Sequence, residues 1–448
     1  MEVRSGGEVI ARYRYSNRGR QVTFTDGAGN SFVLEKNEYA ETVGETNRLG
    51  DRQSYGYDKE GRSSLAGTYS GKQIRTVYND NSGTTTTEYS DGTKTEIVRD
   101  RAGNITRATG ETGTIRYGRN AGGKLVFQID EKSGERTEYR YDAAGQRIQM
   151  LSGNRDVRYT YGKNGELLRV LDNSQRLSVQ YEYDTMGRET RRTFGNGVKQ
   201  ETQYDSIGRV VMIRELDARG ELIRAEGYLY DTLGRRTHSV DEQGQVTRYE
   251  YDNQSRLASV WYPYSEEKSL EDRKEAEEAG LFFTLDKGQG VRYTFNATEL
   301  TRLREVLNKA SINRGSLVNM NQILWREQYA YDHNGNRVSK TTPWGTIAYT
   351  YDKENRMITK GDIRYTYDKD GNLLSERGTR RTAAYQYNGQ NRMTSSEITE
   401  TGRQSRSTAQ YRYDAYGRRT ITQEAGGDAM RTVYDAFSLT RRPFFMCR

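Results

Sequence analysis

The residues whose types and spacing could do chemistry in this chain are aspartates, each followed four places on by an arginine. Asp58, Asp184, Asp205, Asp231 and Asp414 each follow a tyrosine (Tyr57, Tyr183, Tyr204, Tyr230, Tyr413) and precede a glycine–arginine pair. Those pairs are Gly61-Arg62, Gly187-Arg188, Gly208-Arg209, Gly234-Arg235 and Gly417-Arg418. Acid–base catalysis needs one pair of groups whose pKa values are driven apart, not a series of equivalent carboxylates. A structural role is therefore expected for all of these residues, with no catalytic residue, cofactor or metal ligand among them.

Other tempting spacings fail on their own chemistry. Gly118-Arg119-Asn120-Ala121-Gly122-Gly123-Lys124-Leu125 nearly spells a phosphate-binding loop. It lacks the Ser or Thr after the lysine that would hold magnesium, and a strand, not a helix, is expected after it. Asp368-Lys369-Asp370-Gly371-Asn372 opens like a calcium loop, but Thr379 stands where a bidentate glutamate is required. His238 and His333 have no neighbouring Cys or paired His, which argues against zinc and against a Ser-His-Asp triad; both are expected to be exposed. Asn104-Ile105-Thr106 and Asn296-Ala297-Thr298 are sequons, relevant only in a glycosylating secretory pathway.

The elements that must position the aspartates follow from repetition. Variants of the phrase occur at Tyr141-Asp142, Tyr251-Asp252, Tyr331-Asp332, Tyr351-Asp352 and Tyr367-Asp368, and a second tyrosine usually precedes by two places, as at Tyr181, Tyr228 and Tyr411. Successive phrases begin at Tyr141, Tyr161, Tyr183 and Tyr204, a period of about 21 residues, which marks a repeat architecture. Tyr-x-Tyr puts two rings on one face of a strand. Aspartate ends the strand by accepting backbone N–H groups, and glycine supplies the positive φ of a tight reversal. Each period is one β-hairpin, and a lone hairpin is marginal in water, so neighbours must pair into a continuous sheet.

Composition agrees with a wall built of tyrosine. Only 33% of residues are hydrophobic and mean hydropathy is −1.02, values that alone suggest disorder, but the chain holds 35 tyrosines and only three prolines. The formal charge of +8 comes from 70 basic and 62 acidic residues that alternate without a basic block. That pattern fits a solvated sheet face with cross-strand ion pairs; a diffuse attraction to anionic glycan is the alternative, and no nucleic-acid motif is present. Cys447 is the single cysteine, which excludes an internal disulfide. The first thirty residues hold no signal-peptide stretch, and no apolar run is long enough to span a membrane.

Three segments are expected: repeats over 1–262 (degenerate over 1–138, regular over 139–262), a mainly helical insertion over 263–328, and repeats over 329–448 that end abruptly after Tyr434-Asp435 at Pro443-Phe444-Phe445-Met446. Within the insertion, a mostly exposed helix is expected over 266–279, with Ser269-Leu270-Glu271-Asp272 as its capping box. A second helix starts near Asn296, buries Leu300, Leu303, Val306, Leu307 and Ala310, and ends at Gly315. Leu317 to Trp325 fits either helix or strand, and the insertion is expected to break the sheet.

The Tyr-x-Tyr-Asp-x-x-Gly-Arg phrases closely resemble the YD repeats of the Rhs family over nearly the whole chain outside residues 263–328. The resemblance implies an all-β fold: a β-hairpin sheet spiralling into a partial hollow shell, here with a short helical insertion. It implies no enzyme. The roles it implies are those of polymorphic Rhs toxins of interbacterial competition, wall-associated bacterial proteins, encapsulating subunits of insecticidal toxin complexes and the teneurin ectodomain. Implied partners are a polypeptide cargo or the remaining parts of a longer Rhs protein, with surface glycans as the alternative. The implied location is secreted or at the cell surface, through a longer protein or an export system. Rhs toxins close their core with an Asp-Pro motif at which the cargo is cut free; no Asp-Pro pair occurs here and no toxin-sized segment follows Tyr434, so neither self-cleavage nor toxicity is carried over.

Overall fold

The computed structural model describes residues 1–5, 7–281, 291–309, 318–319, 321–400, 405–432 and 434. The period-two side-chain pattern and the closely spaced turns produce 37 described strands in one antiparallel sheet that does not close. Strands pair in chain order. Tyr183 ends the strand Leu177–Tyr183, residues 184–188 reverse the chain, and Glu189–Phe194 returns beside it.

The turn has one geometry throughout. Asp184 N donates to Arg188 O at 2.9 Å and Gly187 N to Asp184 O at 3.0 Å. Gly187 has φ +76° and the register slips between Glu182 and Tyr183, the signature of a hairpin closed by a glycine bulge. Where glycine is absent, the same left-handed slot holds Ser255 (φ +64°), Asn355 (+60°) or Asn391 (+58°).

Hairpin turns alternate between the two margins of the sheet, so the Tyr-Asp turns share one margin. The sheet then coils back on itself. Tyr-Asp turns from Asp332 onward sit on loops of the other margin between residues 26 and 130. Arg48 pairs with Glu354 at 3.2 Å, 306 residues away, and Ser70 N donates to Asp370 at 2.9 Å, 300 residues away. Further along, Lys72 bonds Asn391 at 3.1 Å, Gly389 N donates to Asp91, and Gln128 donates to the Tyr434 carbonyl at 3.0 Å. These contacts form a seam between successive circuits, each about 300 residues long. The result is a spiral wall, a partial hollow shell.

Residues 263–328 do not break the sheet, contrary to the sequence expectation. Strand Leu257–Pro263 pairs directly with Asn321–Tyr331, from Ser259 opposite Gln328 to Pro263 opposite Leu324. Backbone pairing is thus kept, and the intervening chain is extruded at the margin where the hairpin loop would lie. It forms helix α1 (Glu266–Glu278), a short strand Val291–Thr294 paired with Asn321–Leu324, and helix α2 (Ala297–Lys309). The ambiguous apolar segment is strand from Asn321. Ala310, Gly315, Leu317, Asp435, the closing Pro443–Met446 stretch and Cys447 lie outside the described residues.

Two local expectations for α1 are also corrected. Its N-cap is Ser265, whose hydroxyl accepts the Lys268 N–H at 3.1 Å, because Glu266 and Glu267 already have helical geometry and leave Ser269 inside the helix. Nor is α1 mostly exposed: Asp272, Ala276 and Ala279 are buried. Helix α2 starts with a capping box, Asn296 accepting from Glu299 N at 2.9 Å and Glu299 accepting from Asn296 N at 3.1 Å.

Candidate functional site

Each Tyr-Asp turn is a closed set of contacts. In the turn at Asp184, Oδ1 accepts the N–H groups of Met186 (2.9 Å) and Arg188 (3.0 Å), while Oδ2 takes Arg188 Nε at 2.7 Å. The Arg188 N–H is the largest influence holding the Asp184 carboxyl below its usual range, and the guanidinium adds to it. The same Asp–Arg bond measures 2.8 Å at Asp58–Arg62, 2.6 Å at Asp205–Arg209, 2.7 Å at Asp231–Arg235 and 2.7 Å at Asp414–Arg418.

Each of these arginines also reaches forward along the wall. Arg188 lies 4.6 Å from the centre of the Tyr204 ring, Arg209 4.7 Å from Tyr230, Arg235 4.8 Å from Tyr251, Arg62 4.3 Å from Tyr78 and Arg418 4.7 Å from Tyr434. The tyrosines reach back. Tyr183 OH donates to Leu167 O at 2.8 Å, Tyr204 to Glu189 O at 2.8 Å, Tyr57 to Thr42 O at 2.7 Å and Tyr413 to Met393 O at 2.6 Å. Burial raises the Tyr183 and Tyr204 phenols above their ordinary value, so they stay protonated donors. The five phrases therefore do not converge on one cleft; they are spread along one margin, each locked to its neighbour. The forward arginine contact was readable in principle, since in the five full phrases arginine stands four places after the aspartate and one strand pair before the next tyrosine.

The near phosphate loop is a hairpin turn: Asn120 N donates to Lys124 O at 3.0 Å, Gly123 has φ +75°, and Leu125–Asp130 is a strand. The calcium-like stretch is another turn, with Asn372 Nδ2 on Asp368 at 2.7 Å and Asp370 committed to the seam. Among the described residues no three His, Cys, Asp or Glu side chains gather as metal ligands, and no helix is long and apolar enough to cross a membrane.

The insertion straddles the sheet. Cross-strand partners place Tyr249, Val260, Glu327, Tyr329, Lys340, Ile347 and Tyr349 on the tyrosine face. Helix α1 lies there, over Tyr262, Trp325, Trp344, Ile347 and Tyr349. Three lysines and three carboxylates hold it. Lys268 bonds Asp272 (2.8 Å) and Glu327 (2.9 Å), Lys340 bonds Glu275 (2.7 Å) and Asp272 (3.3 Å), and Lys360 bonds Glu275 (2.9 Å). Burial works against a charged Glu275, but the two lysines outweigh it and draw its pKa down to about 2. The charges balance, as a buried network requires.

Helix α2 covers the opposite face. Leu300, Leu303 and Leu307 pack on Met212, Ala225, Leu229, Val240, Val246 and Leu324. His238 lies beneath it, buried and not exposed as expected, because α2 and Phe295 roof the strand Arg236–Asp241. Its Nε2 stands 3.8 Å from Glu299, with no hydrogen-bond partner. Burial lowers the imidazole pKa to about 4, so it is neutral at pH 7.

The Teneurin YD-shell family model matches residues 123–270 and 283–443. No match is found among curated proteins. Among solved structures, a crystal structure of TcdB2-TccC3 aligns at 16% identity with TM-score 0.62 over 97% of this chain and 25% of that one. A Tc holotoxin pore from Photorhabdus luminescens containing a TccC3 variant aligns at 15% and 0.62 over 96% of this chain and 23% of that one. TcdB2-TccC3 without its hypervariable C-terminal region aligns at 16% and 0.58 over 96% and 25%. This chain spans about a quarter of the length of the solved chains it matches.

Proposed function

Because the chain belongs to the Teneurin YD-shell family, and has the fold of a structural shell wall, we propose that it encloses or presents a polypeptide cargo as part of a larger toxin-like assembly. The observation that carries this reading is the return of the sheet upon itself after about 300 residues, which makes a wall with an interior instead of a flat sheet. In this reading residues 1–262 and 329–448 are wall, and 263–328 is a clip set into it. The tyrosines support walling over sugar binding, since arginines cover their rings and backbone carbonyls take their hydroxyls. The wall would be delivered to the cell surface or beyond by the assembly that carries it.

The test is electron microscopy together with limited proteolysis of the natural gene product that contains this chain. A curved, hollow wall is expected, with segments outside the repeats cut far more slowly in the native particle than after unfolding. Outside segments that are cut equally fast in both states would overturn encapsulation.

A further inference from the structure

Three turns on the Tyr-Asp margin put a polar side chain in the left-handed slot, and in each it meets the row before. Ser255 Oγ accepts from Arg235 Nη1 at 3.1 Å, Asn355 Oδ1 from Asn336 Nδ2 at 2.7 Å and Asn391 Oδ1 from Asn372 Nδ2 at 3.0 Å. Arg235, Asn336 and Asn372 hold one place, four residues after the aspartate of the preceding turn. Asn355 also takes Asn334 Nδ2 at 3.0 Å, and Asn391 takes Lys72 Nζ at 3.1 Å. Ala40 follows Arg20 in the same way in the degenerate first rows, where it is small and offers no polar atom.

Where the slot keeps its glycine, a longer side chain from that fourth place comes across. A Cβ added at Gly145 would lie 3.0 Å from Lys124 Nζ, one at Gly165 3.1 Å from Gln146 Nε2 and one at Gly61 3.2 Å from Glu41 Oε1, while one at Gly417 would fall on the Arg392 guanidinium. At other junctions the arginine passes the slot and donates to the carbonyl of the next aspartate: Arg209 to Asp231 at 3.3 Å, Arg256 to Asp332 at 3.1 Å and Arg356 to Asp368 at 3.1 Å. Asn104 and Glu166 depart from this, their side chains turned back on Asp100 and on the Asn164 N–H of their own turns. The two solutions are complementary in length. The long arginine stem spans the gap alone and needs room on the far side, whereas asparagine is short and meets a partner only if the far side extends one. Asparagine is also among the few side chains that tolerate the left-handed region.

We propose that the residue four places after each aspartate and the left-handed residue of the next turn form one recognition pair, matched in reach, that decides which rows can lie side by side. Arginine requires a small residue opposite, and asparagine requires asparagine. The pair acts between neighbouring rows, as the interface terms of a repeat protein do, so rows are interchangeable only where their junctions match. This holds whatever the wall encloses, and its outcome is separate from that of the shell reading.

Hydrogen exchange of turn amides in the full chain tests it by double-mutant cycles at two junctions, with rates read against the turn at residues 205–209 so that a general loosening cancels. Arg392→Asn and Gly417→Asn, made singly, are each expected to speed exchange across residues 414–418 about tenfold, the first by leaving a gap and the second by a collision. Together they install an asparagine pair, and exchange is expected to return to within about threefold of wild type. The reverse swap, Asn336→Arg with Asn355→Gly, should rescue in the same way across residues 352–356. At either junction, a double variant as fast as the product of its two singles would mean that the positions act independently, and would overturn the pair.

Discussion

A single carboxylate closes each Tyr-Asp turn, so its loss is felt in proportion to how well water can replace it. Asp414 is the most buried of the five, with 7% of its side chain exposed, and it holds Arg418 Nε at 2.7 Å and two backbone N–H groups at 2.9 Å. Asp414→Ala is expected to destabilise the chain by about 2 kcal/mol in urea denaturation. Ser255 is the opposite case. It occupies with φ +64° a slot that glycine fills in most repeats, and a side chain in that region is strained. Ser255→Gly is expected to raise stability by roughly 1 kcal/mol. Both roles could be read from the chain, because aspartate and glycine recur at fixed offsets and only turn chemistry explains that. His238 could not: a histidine in a strand looks the same whether or not a distant helix covers it.

Helices α1 and α2 depend on different chemistry, and acid separates them. His238 has its pKa lowered from 6.5 to about 4, so between those values the unfolded chain takes up a proton that the folded chain refuses. The stability this contributes is complete above pH 6.5 and is lost as pH falls towards 4, up to about 3 kcal/mol. Glu275, lowered from 4.5 to about 2, contributes above pH 4.5 and is lost below it. Hydrogen exchange followed from pH 7 to pH 4 should therefore show α2 opening before α1, and His238→Phe should flatten the α2 response. For α1 the critical neighbour is Gly361, with φ +58°, where an added Cβ would lie 2.1 Å from the Ala279 carbonyl oxygen. Gly361→Ala is expected to cost at least about 2 kcal/mol and to speed proteolysis across Glu266–Glu278. Both helices were legible as elements, α2 from its leucine spacing, although α1 takes its cap at Ser265 and not at Ser269. Their docking was not, because Lys268, Lys340 and Lys360 read as ordinary surface charges until the docking of α1 joins them to Asp272, Glu275 and Glu327, and because hydropathy does not tell which face of a sheet a helix will choose.

At the scale of the molecule, the repeat period specified hairpins, and hairpins in series specified a sheet; the coiling of that sheet was available only through family resemblance. The seam joins residues about 300 apart through unlike pairs such as Arg48–Glu354, Ser70–Asp370 and Gln128–Tyr434, which share no pattern along the chain. The continuity of the sheet across the insertion is hidden for a related reason: the pairing of Ser259 with Gln328 skips more than sixty residues, and periodicity cannot count across a gap. The backward reach of each tyrosine has one more consequence, and it is mechanical. Every hairpin is tied mainly to the one before it, so tension applied to the ends should unravel the wall like knitting, row by row. Single-molecule pulling should then give a sawtooth with steps of about 21 residues, or about 7 nm of released chain, once the seam has slipped. One cooperative rupture of the whole length would mean that the circuits grip each other more tightly than the rows do.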